Sequence, residues 1–348
     1  MKLKKIYYLA RDYFAICKKD FNANFPLPFL KRLYLIYRGF LSEKYALYDF
    51  EINDYKDYLS DIQSANARWI NNPYIEILSN KFLFERVVGQ FIKVPKTFAL
   101  INQGIIFFVD SADKINQYQD IFQLLLDTSI ILKPVTGGGG AGVIQLENRE
   151  GQIYIDDFPV TSDKLIDTIN ELDGYIVSER LNQGSFPLSL NNQTINCMRV
   201  VTIYDNESNE AFIIGAAQRI GVKKSYPFDN FTRGGLSSNI DLDSGILSSA
   251  TSHPTAAKAI WYDSHPETDV MIKGRVIKEW LDIKHEVLTA ANKMPYLKCI
   301  GWDILLTDSG IYAIEGNHHP DPDVLQCHQG ILKNERVRKF YKEQNIVK

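Results

Sequence analysis

Apolar residues in the first 80 positions recur at helical spacing. In "PFLKRLYLIYRGFLSEKYALYDF" and "INDYKDYLSDIQSANARWI" they return every three or four residues, and Gly39 is the only glycine in the stretch. This predicts a helical N-terminal region. From Asn80 the pattern changes to short apolar runs divided by turn residues. "NKFLFERVVGQF" reads as a helix, "KVPKTFALI" and "GIIFFVD" as strands, and "DIFQLLLD" as a second helix. The runs "SIILKP", "GVIQLE", "GYIVSERL", "NCMRVVTIYD", "AFIIGAAQRIG", "GWDILLTD" and "GIYAIEGN" supply further strands, with "VIKEWLDIKHEVLTAANKM" a helix ahead of the last two. Helices and strands mix without regular βαβ alternation, so the fold class predicted is α+β.

The polar residues of the first segment add a second expectation. The helix around Lys31–Arg38 is basic and aromatic, so it could lie on a membrane surface or a partner, or simply pack on the main domain. The whole chain is less distinctive. Its 348 residues, 45% hydrophobic and 23% charged with a formal charge of -3, describe an ordinary globular protein with no whole-chain basic signal for nucleic acid. Cys17, Cys197, Cys299 and Cys327 form no CxxC pair and read as reduced thiols. The basic start "MKLKKIYYLARDYF" has too short an apolar run for a signal segment, and no stretch approaches a membrane span. A cytoplasmic protein is expected, with peripheral contact at the inner membrane face as the variant that the basic helix allows.

Two constellations could carry chemistry. In "ILKPVTGGGGAGVIQLE" the glycines Gly137, Gly138, Gly139, Gly140 and Gly142 free successive backbone N–H groups to turn toward an anion, and Lys133 supplies a cation beside them. The alternative is a glycine-rich hairpin without a ligand. The spacing is neither GxGxxG nor GxxxxGK[ST], which disfavours the two commonest nucleotide folds. In "GWDILLTDSGIYAIEGNHHP" a hairpin can bring Asp303, Glu315 and Asn317 together. Two carboxylates and an amide oxygen suit Mg²⁺, though Glu315 could instead pair with an arginine. His265, His318 and His319 lack the spacing of a zinc site, and placement in loops beside proline is the simpler expectation.

Taken in order, Lys-Pro before a glycine loop, "VSERL" at a strand end, an arginine-bearing strand and D…E-x-N across a hairpin resemble the ATP-grasp superfamily from about Asn80 to Gln326. "NKFLFERVVGQFIKVPKTFAL", "TINCMRVVTIY", "FDNFTRGGLSSNIDLDSGIL" and "HPETDVMIKG" narrow the resemblance to its sugar-transfer associated group. It implies two α+β subdomains clamping ATP, here residues 80–178 and 179–330, after a helical region over 1–79 and before a tail over 331–348.

Residue by residue, the resemblance puts Lys81 and Lys133 on the nucleotide and the loop Thr136–Gly142 over its phosphates. Glu179, Arg180 and Leu181 would meet the adenine edge, with Val177 and Leu181 walling the ring and Gln183 a candidate toward the ribose. Arg199 would face the γ-phosphate and the reacting carboxylate, and Asp303, Glu315 and Asn317 would hold Mg²⁺. Asn230, Arg233, Gly234 and Gly235 would shape the acceptor side, Arg233 otherwise being a solvated loop residue.

The implied activity is an ADP-forming carboxylate–amine ligase working through an acylphosphate on small-molecule acids and amines, with a sugar or surface-polysaccharide (capsule) precursor as the expected context. A kinase acting on a hydroxyl and a non-catalytic ATP-binding component of a polysaccharide machine are the alternatives.

Overall fold

A computed structural model describes residues 2–23, 25–109, 115–116, 118–254 and 258–348. Two antiparallel sheets oppose each other across a cleft. The first has eight strands in the order Ile115–Asn116, Ile105–Phe108, Thr97–Asn102, Tyr175–Glu179, Ile130–Pro134, Ile144–Arg149, Gln152–Ile155 and Phe158–Val160. The second has seven, in the order Trp261–Tyr262, Leu247–Ser252, Leu236–Ile240, Glu210–Ile220, Met198–Asp205, Cys299–Thr307 and Gly310–Asn317. Sheet and helix are therefore mixed without parallel crossovers, the α+β arrangement that the texture of the sequence predicts.

Period-two patterning decides which face of each sheet is buried. In the first sheet Ala99, Ile101, Ile130, Leu132 and Val177 point to one side, where Ile121 and Leu125 of helix Tyr118–Asp127 and Leu165 and Ile169 of helix Ser162–Asn170 meet them. In the second sheet Met198, Val200, Ile300, Trp302 and Ile304 point to a helix over Trp280–Lys293, against Ile283, Val287 and Ala290. Burying each large side chain contributes roughly 1.5–3 kcal/mol. Alternate residues on these strands, Ile131 and Lys133 in the first sheet and Arg199, Asp303 and Glu315 in the second, are left for the cleft.

The opposite end of the second sheet's cleft face is covered by both chain termini. Leu35, Phe40, Leu47, Tyr48 and Tyr58 pack with Val201, Ile203 and Cys299, and Val337, Phe340 and Tyr341 of helix Glu335–Glu343 join them. The expected tail over 331–348 is thus largely core, because "VRKFY" gives that helix an apolar stripe and Asn334 caps its first turn. Buried charge fixes the N-terminal segment in place. Lys44, 3% exposed, bonds to Asp323, which also accepts from the Tyr48 hydroxyl. Buried Asp20 accepts from the Ser42 N–H and hydroxyl at 2.5 and 2.8 Å and from Arg32.

One boundary shifts. Helix Lys81–Val88, assigned by chain order to the first subdomain, packs Phe84 and Val88 into the core of the second sheet. The fit is close: a Cβ at Gly316 would come within 2.5 Å of Phe84 Cε2.

Candidate functional site

The cleft is lined from both sheets and its non-atom space, mouth included, is about 1020 Å³. Three adjacent strands of the second sheet form its charged wall. Asp303 stands opposite Arg199 on one side and opposite Glu315 on the other. Arg199 Nε donates to Asp303 Oδ1 at 2.6 Å. Two residues further along the neighbouring strand, Arg219 reaches Asp303 Oδ2 at 3.2 Å and Asp229 Oδ1 at 3.1 Å. Asp303 is thus gripped by two guanidiniums.

Their effect outweighs desolvation. Burial pushes the Asp303 carboxyl up, but Arg199 and Arg219 together hold it below its ordinary value. Glu315 has no such grip. Burial and the neighbouring Asp303 charge raise its pKa, while Lys81 Nζ lies 3.6 Å away. Asp229, also raised by burial, accepts from the Cys197 N–H at 2.6 Å.

The opposite wall comes from the first sheet and the helix leading into it. Asn80 caps helix Lys81–Val88 by accepting from the N–H groups of Phe82 and Leu83, each at 3.0 Å, and the Lys81 N–H donates to Val135 O at 2.9 Å. This places Lys81 at the mouth, where its Nζ donates to Gly137 O at 2.7 Å. Lys133 projects from strand Ile130–Pro134 into the same space. Burial, with Lys81 nearby, lowers its pKa to about 8.

The glycine loop spans the gap between the walls. Gly137, Gly139, Gly140 and Gly142 have positive φ, and a Cβ at Gly140 would sit 2.3 Å from Phe228 Cε2. Gly139 approaches the Asn230 amide and Gly138 approaches Glu315 from across the cleft. The loop therefore rests on the second sheet's side, and side chains there would prop it open.

Lys81, Lys133, Thr136, Gly137, Gly138, Gly139, Gly140, Glu179, Leu181, Asn230, Asp303 and Glu315 all line the cavity. Arg199 stands directly behind Asp303, and Gly142 supports the loop's base against Pro134 and Tyr175. Other expected residues fall elsewhere. Arg180 turns away to Glu147 at 3.3 Å, and Val177 is fully buried in the first sheet's core, so Ile131, Leu305 and Ile314 replace it as the apolar wall.

Gln183 is occupied by Thr194 O at 2.7 Å and the Asn196 N–H at 3.1 Å, so it lies outside the lining and braces the segment whose Ile195 and Cys197 line the cavity. Asn317 shares its strand face with Glu315, but lies outside the lining and donates to Gly301 O at 3.4 Å. Arg233 is exposed on the turn Phe231–Arg233, beyond the lining, and Gly234 and Gly235 turn the chain behind it. The histidines are structural: His265 Nε2 contacts Gly221 O at 3.0 Å, His318 contacts Ser79 Oγ at 3.1 Å, and His319 contacts Ser64 O at 2.9 Å.

A divalent cation fits this donor set in part. Asp303 and Glu315 offer hard oxygen atoms on neighbouring strands, though both Asp303 oxygens are engaged by arginines, and a cation between them would relieve the repulsion that raises Glu315. Among the described residues no group of three or more His, Cys, Asp and Glu side chains could hold a metal unaided. The set would be completed by phosphate oxygens and water, the usual habit of Mg²⁺.

With this cleft in view, comparison with known proteins is decisive at the family level. The profile of the sugar-transfer associated ATP-grasp family matches residues 65–340. The chain belongs to that family. Among solved structures, an ADP complex of N5-carboxyaminoimidazole ribonucleotide synthetase (purK) is similar at 15% identity and TM-score 0.41, over 73% of this chain and 50% of that one. VanG D-Ala:D-Ser ligase from Enterococcus faecalis is similar at 15% and 0.41, over 76% and 61%, and L-amino acid ligase from Bacillus licheniformis at 12% and 0.37, over 71% and 42%. The chain thus spans about half the length of these proteins, at a similarity too low to bear on substrate. No curated protein matches in sequence. The ATP-grasp cleft nevertheless contains residues that sequence reading passed over, above all Arg219 and Asp229. Their signal was the "AAQRIG" strand: paired in a hairpin with "NCMRVV", its alternation puts Arg219 on the same face as Arg199.

Proposed function

We propose that this ATP-grasp protein is an ATP-dependent, ADP-forming carboxylate–amine ligase. The observation that carries the reading is the convergence of Lys81, Lys133 and the glycine loop, from one side, on Asp303, Glu315 and Arg219 from the other, with Arg199 behind Asp303. Polyphosphate is the ligand such a cleft suits, since it needs flexible backbone donors, cations and a site for a divalent ion at once.

In this reading the γ-phosphoryl group of ATP passes to an oxygen of the substrate carboxylate, and ADP leaves. An amine then attacks the acyl carbon, phosphate departs carrying the carbonyl-bound oxygen, and the amine's proton is lost as the amide forms. Lys133 and Lys81 hold phosphate oxygens, the loop amides close over them, and Arg199 and Arg219 offer planar forks to the carboxylate and the transferring group. Asp303 and Glu315 would hold Mg²⁺, which supplies charge neutralisation on the phosphates. No covalent nucleophile is required. The sugar-transfer association of the family supports a sugar-linked or surface-polysaccharide precursor as the acid, joined to an amino acid or another amine.

The test is product analysis. With ATP, Mg²⁺ and panels of uronic acids and amines, ADP and free phosphate should appear only when acid and amine are both present. Phosphate retained on an organic product would instead establish a kinase, and AMP would exclude both. Nucleotide binding without turnover on any panel member would favour a non-catalytic role.

A further inference from the structure

We propose that helix Phe29–Arg38 docks the protein on an anionic membrane surface. At 100° per residue, Phe29, Leu33, Tyr37, Leu30 and Tyr34 fall in one continuous arc of about 140°. All five are exposed, Leu30 by 78%, Tyr37 by 75% and Phe29 by 61%. The other side of the helix is already used. Leu35 is buried in the core, and Arg32 reaches back to Asp20. Lys31 and Arg38 flank the apolar arc, Arg38 lying over the rings of Tyr34 and Tyr55.

Charge selects the occupant. Residues 1–38 carry nine Lys and Arg against two Asp, in a chain whose formal charge is -3. Both aspartates are turned inward, Asp12 to Arg68 and Asp20 to Arg32 and Ser42. That leaves an apolar, aromatic patch bordered by Lys31 and Arg38, with the exposed Glu51 beside Lys31 as the nearby acidic group. Tyrosines and phenylalanine with flanking Lys and Arg are the composition of a helix lying in the interface plane, and basic residues near an anionic leaflet strengthen its attachment. Among the described residues no helix is long and apolar enough to cross a membrane, so the contact is peripheral.

Two features make the attachment consequential. The patch lies before residue 65, outside the stretch that the family profile matches. It is also rigidly joined to the ATP-grasp unit, because Leu35 and Phe40 share a core with Val201, Ile203 and Cys299 of the second sheet. Docking would therefore hold the cleft beside the bilayer.

The experiment is co-sedimentation of the full chain with sucrose-loaded vesicles of phosphatidylcholine alone or with a minority of phosphatidylglycerol, with ATP binding and analytical ultracentrifugation alongside. The expected result is binding to the anionic vesicles only, weakened by salt. Leu30→Glu with Tyr37→Glu should lower the partition at least tenfold, and Lys31→Gln should lower it less, both retaining ATP affinity and the wild-type circular dichroism. Equal binding to both vesicle types, or no binding, would overturn the proposal. So would a dimer in solution that Leu30→Glu dissociates, which would show that a second copy covers the face. The salt titration of the wild-type protein decides the question even if a variant misfolds.

Discussion

The two walls of the cleft do their work by different means. The first sheet contributes backbone: a run of glycines with positive φ, one lysine and an apolar floor. The second contributes side chains, a row of charges in which Arg199 and Arg219 neutralise Asp303 across neighbouring strands while Glu315 beside it has no arginine partner among the described residues. A backbone site tolerates opening and closing because little is buried with it. A charged row cannot move without exposing unpaired ions, so in the proposed reading it is the fixed wall and the loop the moving part.

That contrast is sharpest in carboxylate substitutions on the fixed wall. Asp303→Asn should abolish turnover and also destabilise the protein by about 3 kcal/mol, since it weakens the shared partner of two buried arginines. Glu315→Gln should abolish turnover equally while shifting the melting temperature little, because Lys81 at 3.6 Å is its only nearby ion-pair partner among the described residues. Circular dichroism melts paired with ADP-release assays separate the two. Equal destabilisation would mean that the wall is not divided into a gripped and a free carboxylate.

On the loop side, effects should fall on turnover more than on stability. Gly140→Ala puts a Cβ against the Phe228 ring at 2.3 Å on a backbone with φ of 76°, and should cut turnover at least tenfold, with a lowered melt as well because strain and clash add. Gly137→Ala meets no atom within 4 Å and bears only the cost of its positive φ, about 1–2 kcal/mol at most, so its effect should be clearly smaller. Steady-state kinetics on the pair checks whether closure onto the second sheet is the functional step.

A smaller and more specific signature is pH. Burial and Lys81 disfavour the charged form of Lys133, lowering its pKa to about 8. Phosphate binding needs the ammonium, so ATP affinity should be full below about 8 and decline as pH rises through it. In Lys133→Ala the affinity should be weaker and this decline should be absent. The least effect is expected at Arg180→Ala, whose partly exposed pair with Glu147 faces away from the cleft and is worth at most about 1 kcal/mol.

The same contrast explains what could be read before folding. Glycines declare themselves in sequence, because only a special backbone calls for four in a row; the loop and Lys133 were legible for that reason. The hairpin carrying Asp303 and Glu315 was legible because its strands are adjacent in the chain. Arg219 was not, since its importance arises from the pairing of strand Met198–Asp205 with Cys299–Thr307, which brings Asp303 beneath it from more than 80 positions downstream. Arg180 and Val177 were misplaced for a related reason. A strand end shows its alternation, but not which face meets the cleft until the neighbouring helices are known. Helix Lys81–Val88 shows the limit of chain order itself, since its Phe84 packs against Gly316 from the far end of the chain.

A MgATP site built from both walls of the cleft is the central expectation. Its most direct test is calorimetric titration of ATP into the wild-type protein and into Lys133→Ala, each with and without Mg²⁺. The account predicts tight, Mg²⁺-dependent binding by the wild type and at least tenfold weaker binding by the variant. Equal affinity in the two proteins, or binding indifferent to Mg²⁺, would contradict it.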